Sequence, residues 1–400
     1  MGAHGALRLR LTRSTAVLAV ACVAGGLLGA GCSASGSSLA ARTPTIGSPS
    51  AAPTSTPTSK SIVSPTAGPS APKALGCKVG VSWNLWNDAE FWEVPAVNGV
   101  LDREGAIYTT SDAKGSVEYQ ESDIDAFVAA KMDVIIVRRQ HYGTVSAAVN
   151  RATDAGIPVI VENNLLESPN VLWVGYDSAE TGRIEARAAL AARPTGNYAI
   201  IDGHPGDPYA EILRRGVGEV LQPALDSGAV KIVGETYTEN QDPVRAKDEM
   251  DAILKKNANR IDAVIVEDDL MATGVIKSLK EAGLEGKVAV SAINHGYDPT
   301  APGLRNVALG VQTADVWQDL AKLGKTAAEA AVELCRVRDL AKITGTTRVT
   351  SPGGLEMTSI MLTPKVITRD NLDVALEQGW TTKDALCRGV DPASAPAACR

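Results

Sequence analysis

Ile261-Asp262-Ala263-Val264-Ile265-Val266-Glu267-Asp268-Asp269-Leu270 opens the stretch that decides the fold. A short β-branched apolar run, Val264 to Val266, stops at three consecutive acids. A helical pattern follows through Leu270, Val275, Ile276 and Leu279 and ends at Ala282-Gly283. A second β-type run, Val288-Ala289-Val290, then arrives at Ala292-Ile293-Asn294-His295. Strand, helix and strand make a unit with polar groups gathered at the carboxyl ends of both strands. Ligands of open α/β sheets bind at that edge. Short carboxylates and amides there suit a small polyhydroxylated molecule. Asp is also a preferred helix N-cap, so capping by Asp268 or Asp269 is the competing reading, and it leaves the other acid available.

Working outward, the same alternation fills most of the chain. Strands are expected at Val79–Ser82, Ala106–Thr109, Val134–Val137 and Pro158–Val161, with helices near 123–130 and 145–155. After a crossing segment at Val171–Asp177 the pattern restarts, with strands at Tyr198–Ile201, Val230–Val233, Ala263–Val266 and Val288–Val290. Helices near 210–221, 245–255 and 270–281 separate them. Such alternation predicts βαβ units and parallel sheets covered on both faces. The expected architecture is α/β: two doubly wound parallel-sheet lobes. A strand at Val307–Gln312 would carry the chain back to the first lobe, a helix from about Val316 to Val337 would pack there, and Ser359–Pro364 would make a third crossing. The expected boundaries are 76–175 with 313–360 for the first lobe, and 176–312 with 361–400 for the second.

The chain's 400 residues, at 44% hydrophobic and 21% charged, supply two cores at about 100–200 residues per domain. Its net charge of -7, with no basic block beyond the extreme N-terminus, argues against nucleic acid as a partner. Arg8, Arg10 and Arg13 precede an apolar run, Ala16 to Ala30, which reads as an export signal over 1–31. Leu27-Leu28-Gly29-Ala30-Gly31-Cys32 resembles a bacterial lipobox, departing from it at Gly29, and implies lipidation of Cys32. Simple secretion and a retained membrane anchor are the alternatives. Residues 32–75, rich in Ser, Thr, Ala, Pro and Gly, bury too little apolar surface to order and read as a disordered tether. Cys77, Cys335, Cys387 and Cys399 remain, an even number suited to an oxidising compartment. Four cysteines allow three pairings. Topology favours Cys77–Cys335 and Cys387–Cys399, since Cys77 precedes the first strand and Cys335 closes a helix running to the same far end. Buried free thiols are the alternative.

Several stretches together carry a family resemblance over roughly residues 78–380. They are Leu221-Gln222-Pro223-Ala224-Leu225-Asp226-Ser227-Gly228 with Lys231-Ile232-Val233-Gly234, and Lys256-Asn257-Ala258-Asn259-Arg260-Ile261-Asp262-Ala263-Val264. Glu281-Ala282-Gly283-Leu284, Gly286-Lys287-Val288-Ala289-Val290-Ser291, Met361-Leu362-Thr363-Pro364 and Asp370-Asn371-Leu372 complete the set. The chain resembles the type I periplasmic sugar-binding proteins of ABC importers, on the side of the D-xylose-binding branch. The resemblance implies two lobes on a three-segment hinge that close over one sugar, no enzyme activity and no cofactor. It also implies an ABC permease and ATPase as partners of an extracytoplasmic monomer, which the lipobox at Cys32 would hold to the outer face of the bacterial membrane by lipid. The family's Asn-Asp pair after a second-lobe strand falls on Asp268-Asp269, so that Asp268 replaces an amide with a pure acceptor; its next Asp falls on Asn294 and its hinge Gln on Gln312. Its Asp-Arg pair falls on Asn163-Asn164, and its polar loop on Asp207 and Tyr209. Losing the Arg at Asn164 removes a five-donor fork, so the donor pattern departs from the family's.

The residues add candidates of their own. Trp83, Trp86, Phe91 and Trp92 cluster after the first strand in a chain with only six Trp and two Phe. Sugar faces pack on aromatic rings, and Trp83 and Trp86 stand beside Asn84. Packing into the lobe's core is the alternative for all four. Arg138 and Arg139 follow the third strand, where one of them would replace the fork missing at Asn164 or meet an acidic ligand group. A salt bridge with Glu162 is the plainer account. His141, His204 and His295 show no metal-ligand spacing, and no nucleophile triad, phosphate loop or dinucleotide fingerprint is present. A ligand sensor that signals through a membrane receptor would share the same lobes, and an exported enzyme would need an acid–base pair that is not evident.

Overall fold

The computed structural model describes residues 75–89, 91–139, 144–295 and 302–400. The segments expected to be an export signal and a tether, through residue 74 and including Cys32, lie outside the described residues, as does His141. Leu75, expected at the end of the tether, packs against the first core and donates its N–H to Glu104 O.

The first lobe begins β1 (Lys78–Trp83), α1 (Trp86–Ala89), α2 (Glu93–Glu104), β2 (Ile107–Asp112) and α3 (Val117–Ala129). It continues β3 (Val134–Arg138), α4 (Ser146–Asp154), β4 (Val159–Glu162) and β5 (Val171–Tyr176). The second runs α5 (Ser178–Ala192), β6 (Gly196–Asp202), α6 (Pro208–Asp226), β7 (Val230–Tyr237) and α7 (Pro243–Lys256). It then adds β8 (Ala263–Val266), α8 (Asp269–Glu281), β9 (Ala289–Asn294), α9 (Pro302–Leu309) and β10 (Ala314–Trp317). The chain returns to the first lobe for α10 (Leu320–Val337), β11 (Thr347–Thr350) and β12 (Glu356–Leu362). It finishes in the second with β13 (Lys365–Ile367), α11 (Asp373–Glu377) and α12 (Lys383–Leu386).

The first sheet has the order β11-β12-β5-β4-β3-β1-β2, and the second β13-β10-β9-β8-β6-β7. All neighbours are parallel except β11 with β12 and β13 with β10. Strands buried on both faces read as continuous apolar runs, and β3 and β8 are buried throughout. Alternate side chains point to opposite faces. Val134 and Ile136 therefore pack with α2 and α10, while Ile135 and Val137 pack with α3 and α4. In each sheet the order reverses beside the first strand of the lobe, between β1 and β3 and between β6 and β8.

Helix starts carry their expected caps. Asp177, Asp207, Asp242, Asp268 and Asp319 each accept a backbone N–H in the first turn of the following helix, and Pro208 and Pro243 open theirs.

Two expectations need correction. Val307–Gln312 is not a strand: Pro302–Leu309 is helical, and the strand lies at Ala314–Trp317 in the second sheet. The return to the first lobe therefore passes through Gln318-Asp319, so residues 313–317 belong with the second lobe. The helix expected from Val316 starts at Leu320. The three crossings touch one another. Tyr176 Oη donates to Asp319 O at 3.0 Å, and Asp177 N–H to Leu362 O at 3.4 Å. Disulfides join Cys77 to Cys335 and Cys387 to Cys399, with Cα separations of 5.9 and 5.5 Å.

Candidate ligand cleft

The carboxyl ends of the strands of both sheets deliver the residues that line a cavity of about 660 Å³. From the first lobe come Arg139 after β3, Asn163 and Asn164 after β4, and Trp173 and Tyr176 on β5. From the second come Asp207 and Tyr209 at the start of α6, and Gln318 comes from the middle crossing. A smaller recess of about 30 Å³ shares Asn163, Asn164, Asp207, Tyr209 and Gln318 with it and adds Gln241 and His295.

The backbone explains these placements. Asn163 sits at φ 66, a left-handed conformation that Asn tolerates better than most residues. Its carbonyl accepts the Trp173 indole N–H at 2.9 Å, and Asn164 Nδ2 donates to Arg139 O at 2.9 Å. Gln318 Nε2 donates to Tyr209 Oη at 3.2 Å, and Tyr209 meets the His295 ring edge-on at 5.4 Å. Arg139 and Asp207 bring opposite charges from opposite lobes. Burial lowers the Arg139 pKa and raises that of Asp207, and each group's charge opposes the other's shift.

Of the expected site residues, the cavity brings together Arg139, Asn163, Asn164, Asp207 and Tyr209. The others stand elsewhere. Trp83 is fully buried in the first lobe's core, where β1, α2 and α10 meet. Trp86 packs at the edge of that core, and Phe91 is 51% exposed without lining the cavity. Arg138 is fully buried: its Nε lies 2.9 Å from Glu93 Oε1 and 3.7 Å from Glu162 Oε2, and its Nη1 donates to Asn84 Oδ1. Burial and the neighbouring Glu93 hold the Glu162 carboxyl well above the usual range, against the pull of Arg138. Arg138 and Asn84 are thus committed to an internal polar cluster, and the plainer salt-bridge account of Arg138 holds.

Asp268 caps α8 through Oδ1, which accepts from Leu270 N–H and Met271 N–H, while Oδ2 lies 3.9 Å from His295 Nε2. Asp269 is buried and accepts from Asn294 Nδ2 at 2.8 Å and from Gln312 Nε2 at 2.9 Å. Neither acid lines the cavity, and Gln312 lies in the second lobe instead of the hinge. Burial raises the Asp269 pKa to about 7, against the hydrogen bonds it accepts. Nearby, burial carries Glu267 to about 8 and Asp202 to about 7, and Glu185 and Asp315 well above the carboxylate range. Among the described residues no group of three His, Cys, Asp or Glu is arranged to hold a metal ion.

Gln318, Tyr176 and His295 were not singled out as ligand residues. Gln318 follows the strand that the sequence pattern placed too early. His295 directly follows Asn294, so its position at a strand's carboxyl end was a usable signal.

A periplasmic binding protein domain model matches residues 79–338. The chain belongs to the periplasmic binding protein family. This binding protein is 32% identical over 285 residues to the D-xylose-binding periplasmic protein of Escherichia coli strain K12, covering 70% of this chain and 84% of that one. It is 29% identical over 284 residues to the D-xylose-binding periplasmic protein of Haemophilus influenzae, covering 70% and 83%. A solved carbohydrate transporter solute-binding protein from Chloroflexus aurantiacus, in complex with D-glucose, superposes with a TM-score of 0.63 at 21% identity. That match covers 78% of this chain and 98% of the other.

Proposed function

We propose that this protein captures a sugar between its lobes outside the cytoplasm and delivers it to an ABC permease and its ATPase. The observation that carries this reading is the cavity itself. Guanidinium, amide, phenol and carboxylate groups from both lobes converge on it at the carboxyl edges of two parallel sheets. Such a set both donates to and accepts from hydroxyl groups, and its charged members form the stronger bonds. Kinship with D-xylose-binding relatives supports a pentose or related sugar.

Capture works by closure. Ligand touching both lobes stabilises only the closed arrangement, and that differential contact drives the motion. The site binds and releases its ligand unchanged, with no cofactor or metal. Lipidation of Cys32 holds the protein, as a monomer, to the outer face of the membrane, with residues 33–74 as the spacer. No helix among the described residues is long and apolar enough to cross a membrane.

A thermal-shift screen of the full chain in detergent against pentoses, hexoses, polyols, amino sugars and sugar acids tests this reading. A ligand at about 100 times its Kd stabilises by roughly 2.7 kcal/mol. A raised Tm with at least one neutral sugar, recovered chemically intact, is the expected result. No shift across the whole panel refutes sugar capture.

A further inference from the structure

Glu267, the first of the three acids after β8, is 1% exposed, yet its carboxylate touches the cleft through one intermediary. Its Oε2 accepts the Gly203 N–H at 2.7 Å, and its Oε1 accepts from Gln241 Nε2 at 3.2 Å. A Cβ on Gly203 would stand 2.1 Å from Glu267 Oε1, so glycine there makes room for the carboxyl. Gln241 in turn lines the small recess beside Asn163, Asn164, Asp207 and Tyr209.

The backbone holds Gln241 in place. It belongs to the short turn between β7 and α7, in which Asn240 and Gln241 stand at φ 59 and φ 53. Such left-handed values are uncommon outside glycine. Thr238 N–H donates to Asp202 O at 3.0 Å, Gln241 N–H to Thr238 O at 3.1 Å, and Asn240 N–H to His204 Nδ1 at 3.0 Å. Strained backbone persists where its surroundings over-determine it, and such positions cluster at ligand sites.

An amide has a donor end and an acceptor end, whereas a carboxylate only accepts. In the observed arrangement both Glu267 oxygens accept, so Gln241 commits Nε2 to the acid and keeps Oε1 to offer a ligand. A protonated Glu267 would carry its hydrogen on Oε1 and leave Oε2 to the Gly203 N–H. That O–H would donate to Gln241 Oε1, and a half-turn of the amide would offer Nε2 to the ligand instead. The titratable groups that face Glu267 are Asp202 at the end of β6, Asp207 at the cap of α6 and Glu185 on α5. Asp268 follows it in the chain and lies near His295, and His204 holds the turn. Burial, helped by Asp202 and Asp207, raises the Glu267 pKa to about 8 against the hydrogen bonds from Gly203 and Gln241. Both forms are therefore populated close to neutral pH.

We propose that Gln241 is a specificity-determining contact for the captured sugar, and that protonation of Glu267 sets which end of its amide, donor or acceptor, meets the ligand. This rests on the sugar-capture reading and names a residue that discriminates among sugars.

Titration calorimetry on the full chain in detergent, with D-xylose, D-glucose and each of their monodeoxyfluoro derivatives at pH 6 and pH 9.5, decides it. Fluorine cannot donate a hydrogen bond, so the analogue altered where the sugar meets Gln241 should lose most when the amide offers its oxygen. For at least one position, the ratio of analogue Kd to parent Kd should rise about three- to tenfold from pH 6 to pH 9.5, the worth of one hydrogen bond. In Glu267→Gln and, independently, Gln241→Ala, that ratio should no longer change with pH, with melting curves confirming that each variant is folded. A ratio that stays constant in the unaltered protein overturns this inference and leaves sugar capture standing. A pH dependence that survives in either variant also overturns it, because His204, His295 or another acid would then be its source. If neither sugar binds at either pH, the inference falls, and the wider thermal-shift panel decides sugar capture separately.

Discussion

Arg138 and Arg139 are neighbours in sequence but have opposite roles, and strand parity is the reason. Arg138 still pairs with Glu162 in register between β3 and β4, so it shares a face with Val134 and Ile136 beneath α2. Arg139 lies beyond the strand and reaches the cavity. Removing one partner of a buried ion cluster costs about 3–5 kcal/mol, since the remaining charges stay buried. Arg138→Met should lose that much in urea denaturation. Arg139→Ala should lose less stability and more ligand affinity in the same preparations. Parity was not legible in the sequence, because it depends on whether β3 ends at residue 137 or 138. A second residue-scale prediction follows from Asp202, Glu267 and Asp269, whose folded pKa values are raised to about 7, 8 and 7, against about 4 when unfolded. Between those limits the folded state holds more protons than the unfolded one, so stability falls as pH rises. Urea midpoints should decline from pH 5 to pH 8.5. Glu267→Gln should flatten that slope, because an amide retains an acceptor for the Gly203 N–H without ionising.

Helices α5 and α6 pack closely enough that glycine is required at their contact. A Cβ on Gly182 would stand 2.2 Å from Leu213 O, and one on Gly216 would stand 2.1 Å from Ala179 O. Both obstacles are backbone, so no rotamer change relieves them. Gly216→Ala gains about 1 kcal/mol in helix propensity. Overpacking costs of about 1–3 kcal/mol should nevertheless leave the variant less stable in thermal melts. Because α6 also carries Asp207, Tyr209 and Ile212 into the cleft, ligand affinity should weaken with it. The alternation of strands and helices was legible at this scale, because each parallel strand is an apolar run bounded by turns. The return segment was not. Leu304, Val307 and Ala308 are buried at helical spacing in α9, but the short apolar run at its end also fits a strand. The true strand, Ala314-Asp315-Val316-Trp317, holds a buried Asp, which hid it. That displacement moved the expected hinge from Gln318 to Gln312. The candidate site was legible where polar residues end a strand, as at Asn163 and Asn164. It failed where an equally polar residue turns inward, as at Asp269 and Asn84.

At the scale of the molecule, neither lobe is one continuous piece of chain: strands from both sides of the second lobe's sequence build the first sheet. The bond between Cys77 and Cys335 links positions 258 residues apart. In the chain-entropy account, cross-linking so long a loop restricts the unfolded state by on the order of 5 kcal/mol. Cys77→Ser should lower the urea midpoint markedly more than Cys387→Ser, whose loop spans 12 residues. The same bond has a second effect. Residues 78–334 form a closed covalent ring, and β6 to β10 of the second sheet lie wholly inside it. A protease that cuts this ring once opens it without releasing a fragment. Non-reducing gels of nicked protein should therefore show one band of undiminished mass, and the same samples should split in two once a reductant is added. Damage to the second lobe would stay attached to the molecule, invisible to any assay that reads size alone.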